Sequence, residues 1–539
     1  MQIPIGSRFS AFFACIALLI VGLAMWATGM PYAGWIAWPA LALTALGVRD
    51  LLQKQHSIRR NYPILGNLRF FFEFIRPELR QYIVESDTEA RPFSRNQRSI
   101  VYQRAKKQQD KVPFGTQLDL YEAGKEWINH SMAPAKVSTH DFRVAVGGPA
   151  CRAPYSASVF NISAMSFGAL SAHAILALNQ GARDGGFAHD TGEGGISRHH
   201  QQHGGDLIWE IGSGYFGCRT PDGRFDAQRF EQQARQAQVR MIEIKLSQGA
   251  KPGHGGMLPG PKVSQEIAQA RGVPSGVDCI SPARHAEFST PVGLLEFVAR
   301  LRELSGGKPV GFKLCVGHPW ELFAIAKAML ATDISPDFIV VDGAEGGTGA
   351  APSEFVDHVG MPLQEGLLLV HNTLVGLNLR ERIRVGASGK VISAFDIART
   401  MAIGADWCNS ARGFMFALGC VQAQHCHLDT CPSGVATQDP VRMRALVVPN
   451  KAQRVASFHR NTLKALAELI AAAGLTHPSQ LQPHHIVQRV SPNEVLLLSN
   501  LLPFLKPGQL LDNARSERLP HKVYEAWWSR ARADSFALG

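Results

Sequence analysis

Cysteine is scarce. There are nine in 539 residues, and six of them (Cys15, Cys151, Cys218, Cys279, Cys315 and Cys408) lie far apart. That spacing excludes a disulfide scaffold and fits a reducing compartment. No long basic run is interleaved with aromatics. Only Arg104–Lys107 with Lys111 approaches one, which argues against a nucleic-acid partner. Acidic residues are outnumbered, 44 against 55 Lys and Arg, for a formal charge of +11. Such an excess suits an anionic membrane surface or anionic substrates. Gly212–Gly217 matches GxGxxG, but Thr220-Pro221-Asp222-Gly223 is a turn where a helix should begin. The motif alone therefore predicts no nicotinamide-binding domain.

Charge of either sign is missing from Phe9 to Val48, a run of 40 residues. That is about two membrane spans. Gly29-Met30-Pro31 and Gly34 divide it into Phe9–Ala27 and Tyr32–Val48. Trp26, Tyr32, Trp35 and Trp38 cluster near the turn, where interfacial aromatics sit. Arg8 precedes the first span and Arg49, Lys54, Arg59 and Arg60 follow the second, so both ends face the cytoplasm. The run is too long for a cleaved signal peptide. The expected organisation is a transmembrane hairpin over 1–48, a linker and wrapping segment over 49–150, a catalytic domain over 151–440, and a helical extension over 441–539. The expected placement is that of a multi-pass protein of the cell membrane with the 151–440 domain in the cytoplasm. Phe70-Phe71-Phe72 with Phe74 reads as core packing, or as an interfacial helix. Leu496–Leu505, interrupted by Pro503, reads as packing on the catalytic domain.

From about residue 155, short β-branched runs alternate with helical stretches. Eight strands are expected: Ser158–Met165, Phe187–Asp190, Leu207–Gly212, Met241–Leu246, Val310–Val316, Phe338–Asp342, Ile383–Ala387 and Asp406–Ala411. Such repetition predicts a (β/α)8 TIM barrel, whose chemistry sits on the loops after the strands. Those loops are rich in glycine. They include Met165–Ser171, Thr191–Gly195, Ser247–Gly256, Asp342–Ala350 and Ser388-Gly389. Glycines on one rim let backbone N–H groups approach a ligand. The loops after strands seven and eight, Ala387–Lys390 and Ser410–Gly413, join glycines to cations as a phosphate monoester requires. FMN carries such a phosphate. Lys313, midway along strand five, needs an anionic partner, and the N1–C2=O edge of a flavin is one.

Just past strand eight comes CVQAQHCHLDTCPSGVATQ, with Cys420, Cys426 and Cys431 within twelve residues. Three grouped thiols suit a [3Fe–4S] cluster. A zinc site completed by His425 or His427 is the alternative.

The runs SAMSFGALS, TGEGG, IKLSQGAKPGHGGMLPG, DGAEGGTGAAP and the cysteine segment together resemble the FMN-binding synthase domain of glutamate synthase, over roughly residues 90–475. The resemblance implies a (β/α)8 barrel holding FMN and a [3Fe–4S] cluster. It implies addition of ammonia to 2-oxoglutarate and reduction of 2-iminoglutarate to L-glutamate. Carried across, Cys420, Cys426 and Cys431 ligate the cluster. Met165 and Ser166 lie beside the flavin ring, with Lys313 against it. Gly346, Gly347, Ser388, Gly389, Arg412 and Gly413 hold the phosphate side. Glu193, Lys245, Gln248 and Lys251 line the substrate pocket, with Glu193 and Lys245 in catalytic roles. The chemistry suits those types: lysines meet a dicarboxylate, and a carboxylate can handle protons in the imine step.

The chain also departs from that pattern. His254 stands where the family reads GEGG, and Tyr215 where it reads SGRFG. The resemblance leads one to expect a glutaminase domain before the barrel and a β-helix after it, and neither is expected here. Ammonia would then be free or come from a separate glutaminase subunit, and electrons from an external donor. Competing readings are an FMN and iron–sulfur amine or amino-acid oxidoreductase coupled to a membrane carrier, and an electron-relay subunit without substrate.

Overall fold

The structure is a computed structural model and describes residues 8–511, 519 and 521–539. The chain divides into two compact units, residues 1–92 and 93–539.

In the first unit, helices Ser10–Ala27 and Ala33–Leu52 are long and apolar enough to cross a membrane, with mean hydropathies of 2.3 and 1.2. Small residues let them approach. A Cβ on Gly22 would meet the Ala37 backbone at 2.9 Å. Asp50, at the end of the second helix, is buried. It accepts from the Ile64 N–H at 3.0 Å and from the Asn67 side chain at 2.5 Å. A short helix, Ser57–Asn61, and then a longer one, Gly66–Leu79, follow. The core-packing expectation for its aromatics fails: Phe71, Phe72 and Phe74 are exposed.

The second unit holds a closed parallel barrel. Its strands are β1 (Phe160–Ile162), β2 (His189–Asp190), β3 (Leu207–Ile211), β4 (Val239–Lys245), β5 (Val310–Leu314), β6 (Phe338–Asp342), β7 (Arg384–Ser388) and β8 (Trp407–Ser410). They pair in chain order, and β8 closes on β1 through Cys408–Phe160 and Ser410–Ile162. All eight expected strands are present, and β1 and β2 are shorter than expected. An antiparallel hairpin, Arg143–Val146 with Tyr155–Ser158, precedes β1. Val146, Tyr155 and Ala157 pack with Ile208, Met241, Phe338 and Trp407 in one apolar cluster.

Helices between strands follow the expected pattern. Ala172–Gly185 begins at Ser171, whose hydroxyl accepts from the Ala174 N–H, and ends at Gly186 with φ +68°. The long helix Val448–Ala472 packs against it. The C-terminal region is less helical than expected. Ile486–Ser491 and Glu494–Leu497 form a hairpin that also pairs with Glu126–Ile128. Leu498, Leu502 and Leu505 are buried, as expected of a packing segment. Trp527 and Trp528 lie against Trp320 and Phe323.

Candidate active site

Lys245 ends β4 and Glu193 lies on the loop after β2. Their side chains meet at the rim, Nζ to Oε2 3.1 Å. Burial pushes the Glu193 carboxyl up. Lys245, with Arg271 and Lys251 behind it, outweighs that and holds it below the ordinary carboxylate range. Glu193 is therefore ionised at neutral pH. Two glycines make its seat. A Cβ on Gly256 would collide with the Glu193 carboxylate, and one on Gly192, at φ +63°, would stand 2.7 Å from the Ser166 backbone nitrogen. Lys251 is buried, and its ammonium has no hydrogen bond or ion pair among the described residues. Burial lowers its pKa, with Glu193 opposing and Lys245 adding to the effect. Gln248 is half-buried, with a long contact of 3.5 Å to the Thr348 hydroxyl.

Sequence reasoning missed Arg271. It lies on the long excursion between β4 and β5, which carries the short helix Gln265–Arg271 back to the rim. Its buried guanidinium donates to the Phe167 carbonyl at 3.2 Å and approaches Ser166 Oγ at 3.5 Å. Met165 is buried beside Ser166. Arg271, Lys245 and Lys251 thus surround one carboxylate.

Tyr215 and His254 have different fates. Tyr215 is buried and its hydroxyl accepts from the Ala286 and Glu287 N–H groups at 3.1 and 3.2 Å. It also contacts His285 Nδ1, whose Nε2 bonds the Lys245 carbonyl at 2.9 Å. Burial pushes the Tyr215 phenol up to about 12 and lowers His285 to about 4, so both are neutral links that position Lys245. His254 is exposed against Phe355.

The expectation for Lys313 needs correction. Its anionic partner is protein. The ammonium ion-pairs with Glu210 and lies 3.5 Å from Glu243. Asp190, Glu210 and Glu243 form one buried carboxylate group around it. Burial alone would lower the lysine's pKa, but the carboxylates more than reverse it and keep it charged. Burial raises Asp190 and Glu243, and the neighbouring carboxylates raise them further. Neither Glu243 oxygen has a hydrogen-bond partner among the described residues.

On the phosphate side, Gly347 packs on Arg412, which donates to the Glu345 carbonyl at 2.6 Å and lies over the Phe93 ring. No carboxylate pairs with Arg412 within ion-pair distance among the described residues. Burial lowers its pKa to about 10. A half-buried guanidinium left without an anion fits a phosphate. Gly346 lies against Gly249 and Asp342. Gly389 has φ +154°, and Gly413 is closed in by Ser410 Oγ. Ser388 is already committed. Its hydroxyl donates to Asp342 at 2.5 Å, while Asp342 accepts from the Gly249 N–H at 2.7 Å. Backbone groups, not that hydroxyl, are what this loop offers.

Cys420, Cys426 and Cys431 are free thiols. They lie close enough for Cys420 to sense both others, although burial is the main reason its pKa is pushed up to about 12. Among the described residues, only Asp190, Glu210 and Glu243 bring three metal-ligating atoms within 4.8 Å of one another. The thiols with His425 or His427 are therefore too spread for a zinc ion, which holds its ligands at about 2.0–2.3 Å. The loop docks on the Met165–Ser171 rim loop. Ser171 Oγ donates to the Gly434 carbonyl at 2.7 Å, and Gln438 Nε2 donates to the Gly168 and Leu170 carbonyls at 3.0 and 3.1 Å.

Residues 129–476 match the family model described as the conserved region in glutamate synthase. The chain belongs to the glutamate synthase family. It is 37% identical over 510 residues to the glutamate synthase large subunit-like protein YerD of Bacillus subtilis, covering 87% of this chain and 97% of that one. It is 36% identical over 322 residues to the archaeal glutamate synthase [NADPH] of Methanocaldococcus jannaschii, covering 60% of each. The chain thus spans 60% of the length of that archaeal relative. A mandelate oxidase structure aligns over 69% of the chain with 15% identity and a TM-score of 0.40. As a member of this family the chain is a glutamate synthase-type oxidoreductase, acting on CH–NH2 groups.

Proposed function

We propose that this member of the glutamate synthase family makes L-glutamate from 2-oxoglutarate and ammonia, with FMN and a [3Fe–4S] cluster as resident groups. The observation that carries the substrate class is the charge at the rim. Lys245, Lys251 and Arg271 stand around the single carboxylate of Glu193. The surplus is two positive charges, the complement of a dicarboxylate. Lys251 has no protein anion of its own, so a substrate carboxylate there completes an ion pair without breaking one. Gln248 adds a neutral donor at the same rim.

Cys420, Cys426 and Cys431 would hold the iron–sulfur group. Met165, Ser166, Gly346, Gly347, Gly389, Arg412 and Gly413 would hold FMN. When bound, the flavin supplies a hydride and the cluster supplies single electrons. The chain's own residues orient the oxo acid and exclude water. Glu193, ionised beside Lys245, accepts a proton from the attacking nitrogen as the imine forms. Ammonia enters free or from a separate glutaminase subunit, and an external donor supplies electrons. Two apolar helices favour anchoring in a membrane. The same helices favour one alternative: the reaction run as amino-acid oxidation, with electrons leaving to a membrane carrier.

The test is isotopic. Full-length protein reduced with dithionite and given 2-oxoglutarate with 15N-ammonium is expected to yield 15N-glutamate. Loss of label from the product, or no product, contradicts the proposal. Flavin reduction by glutamate with a quinone as acceptor, and no synthesis, would favour the oxidative alternative.

A further inference from the structure

Two buried cations point at the cysteine loop from different elements, and neither belongs to the substrate or phosphate sites. Arg98 stands on the helix Arg95–Ala105 and is 5% exposed. Its guanidinium makes no hydrogen bond or ion pair to any described residue, and its Nε is fully buried without a partner. Four residues on, one helical turn away on the same face, Tyr102 donates its hydroxyl proton to the Cys420 carbonyl at 2.7 Å. Arg98 thus rises from the helix face that Tyr102 docks on the Cys420 backbone. Lys262, also 5% exposed, comes from the β4–β5 excursion. Its ammonium donates to the Cys426 carbonyl at 3.0 Å and lies 3.7 Å from the Asp429 carboxylate.

A buried guanidinium is unfavourable unless an anion meets it. No carboxylate does so for Arg98 among the described residues, and the carboxylate near Lys262 is itself half-buried and shared with the Gln438 N–H. Three thiolates around a [3Fe–4S] core carry net negative charge, and gain one more on taking up an electron. That charge is the partner Arg98 lacks, and it adds to the partial one Lys262 has in Asp429.

We infer that Arg98 and Lys262 are positioning and charge-compensating residues for an iron–sulfur group on Cys420, Cys426 and Cys431, and that they raise its reduction potential. The inference rests on the cluster reading of those cysteines. Electron uptake adds negative charge, so fixed cations nearby favour the reduced form. Their removal moves the potential in the negative direction.

The experiment is an EPR-monitored redox titration of full-length protein, wild type and the variants Arg98→Met, Lys262→Met and Arg98→Lys, with iron and FMN assayed for each. Arg98→Met is expected to keep FMN and to shift the reduction equilibrium roughly tenfold toward the oxidised form, about 59 mV for a one-electron couple. Lys262→Met shifts it less, because Asp429 already meets part of its charge. Arg98→Lys restores the wild-type potential. If Arg98→Met loses iron, retention of iron by Arg98→Lys supports the charge requirement, and equal loss in both overturns it. Unshifted potentials with iron in place overturn the inference and leave the cluster reading standing. A wild-type protein without iron overturns the cluster reading itself.

Discussion

Lys251 is a buried ammonium with no protein anion against it, beside a lysine that has one. Replacing it by methionine is expected to weaken 2-oxoglutarate binding by about 1.5–3 kcal/mol, the range for a hydrogen bond to a charged group. FMN content should not change. Unaltered binding in a spectral titration would remove Lys251 from the pocket. Glu193 gives a pH prediction. Its folded pKa lies below the unfolded value of about 4.3. The ionised carboxylate therefore stabilises the fold at neutral pH, and that contribution fades as pH falls through the folded value. Glu193→Gln should lower Tm near neutrality and converge on the wild type in acid. A gap that persists unchanged into acid would contradict this. That Glu193, Lys245 and Lys251 come to one rim was legible from the resemblance of their segments, TGEGG and IKLSQGAKPGHGG, to a known family and from their place at strand ends. Arg271 and Arg98 were not. Each is brought to its place by a segment distant in sequence, and an arginine on an amphipathic helix carries no local mark of burial.

The strands were legible as elements because apolar β-branched runs recur between helical stretches, and all eight formed where expected within a few residues. The carboxylates inside the barrel were less visible. Glu210 in LIWEI and Glu243 in VRMIEIK are single acids in apolar strands, and only the register Glu210–Glu243 reveals a shared layer. Lys313 was accordingly assigned to a flavin when its partners are protein. That layer also predicts a pH effect of opposite sign. Asp190 and Glu243 have raised pKa values, so their stabilisation of the fold is full below the ordinary carboxylate range and is lost as pH rises through the folded values. Glu243→Gln should flatten the loss of Tm on the alkaline side, and an unchanged slope would refute that. At the loop after β2, Gly192→Ala is expected to cost about 1–2 kcal/mol from the left-handed backbone alone. Further cost comes from the approach to Ser166. Chemical denaturation measures it.

At the scale of the molecule, an apolar hairpin and a catalytic barrel lie on one chain, in two compact units. The uncharged run Phe9–Val48 made two long apolar helices legible, because 40 residues without charge is about two helical spans. The exposed Phe71, Phe72 and Phe74 were misread as core, because an aromatic run looks the same in sequence whether it is buried or exposed. If the hairpin spans a bilayer, the full-length protein stays with the membrane pellet after an alkaline carbonate wash. Release into the supernatant would contradict the anchor. The proposed reaction has its own most direct measurement: anaerobic stopped-flow reoxidation of the dithionite-reduced full-length protein. Flavin absorbance should return when 2-oxoglutarate and ammonium are added together, and fail to return with either alone. A reduced flavin indifferent to the pair would contradict the proposed synthesis of glutamate.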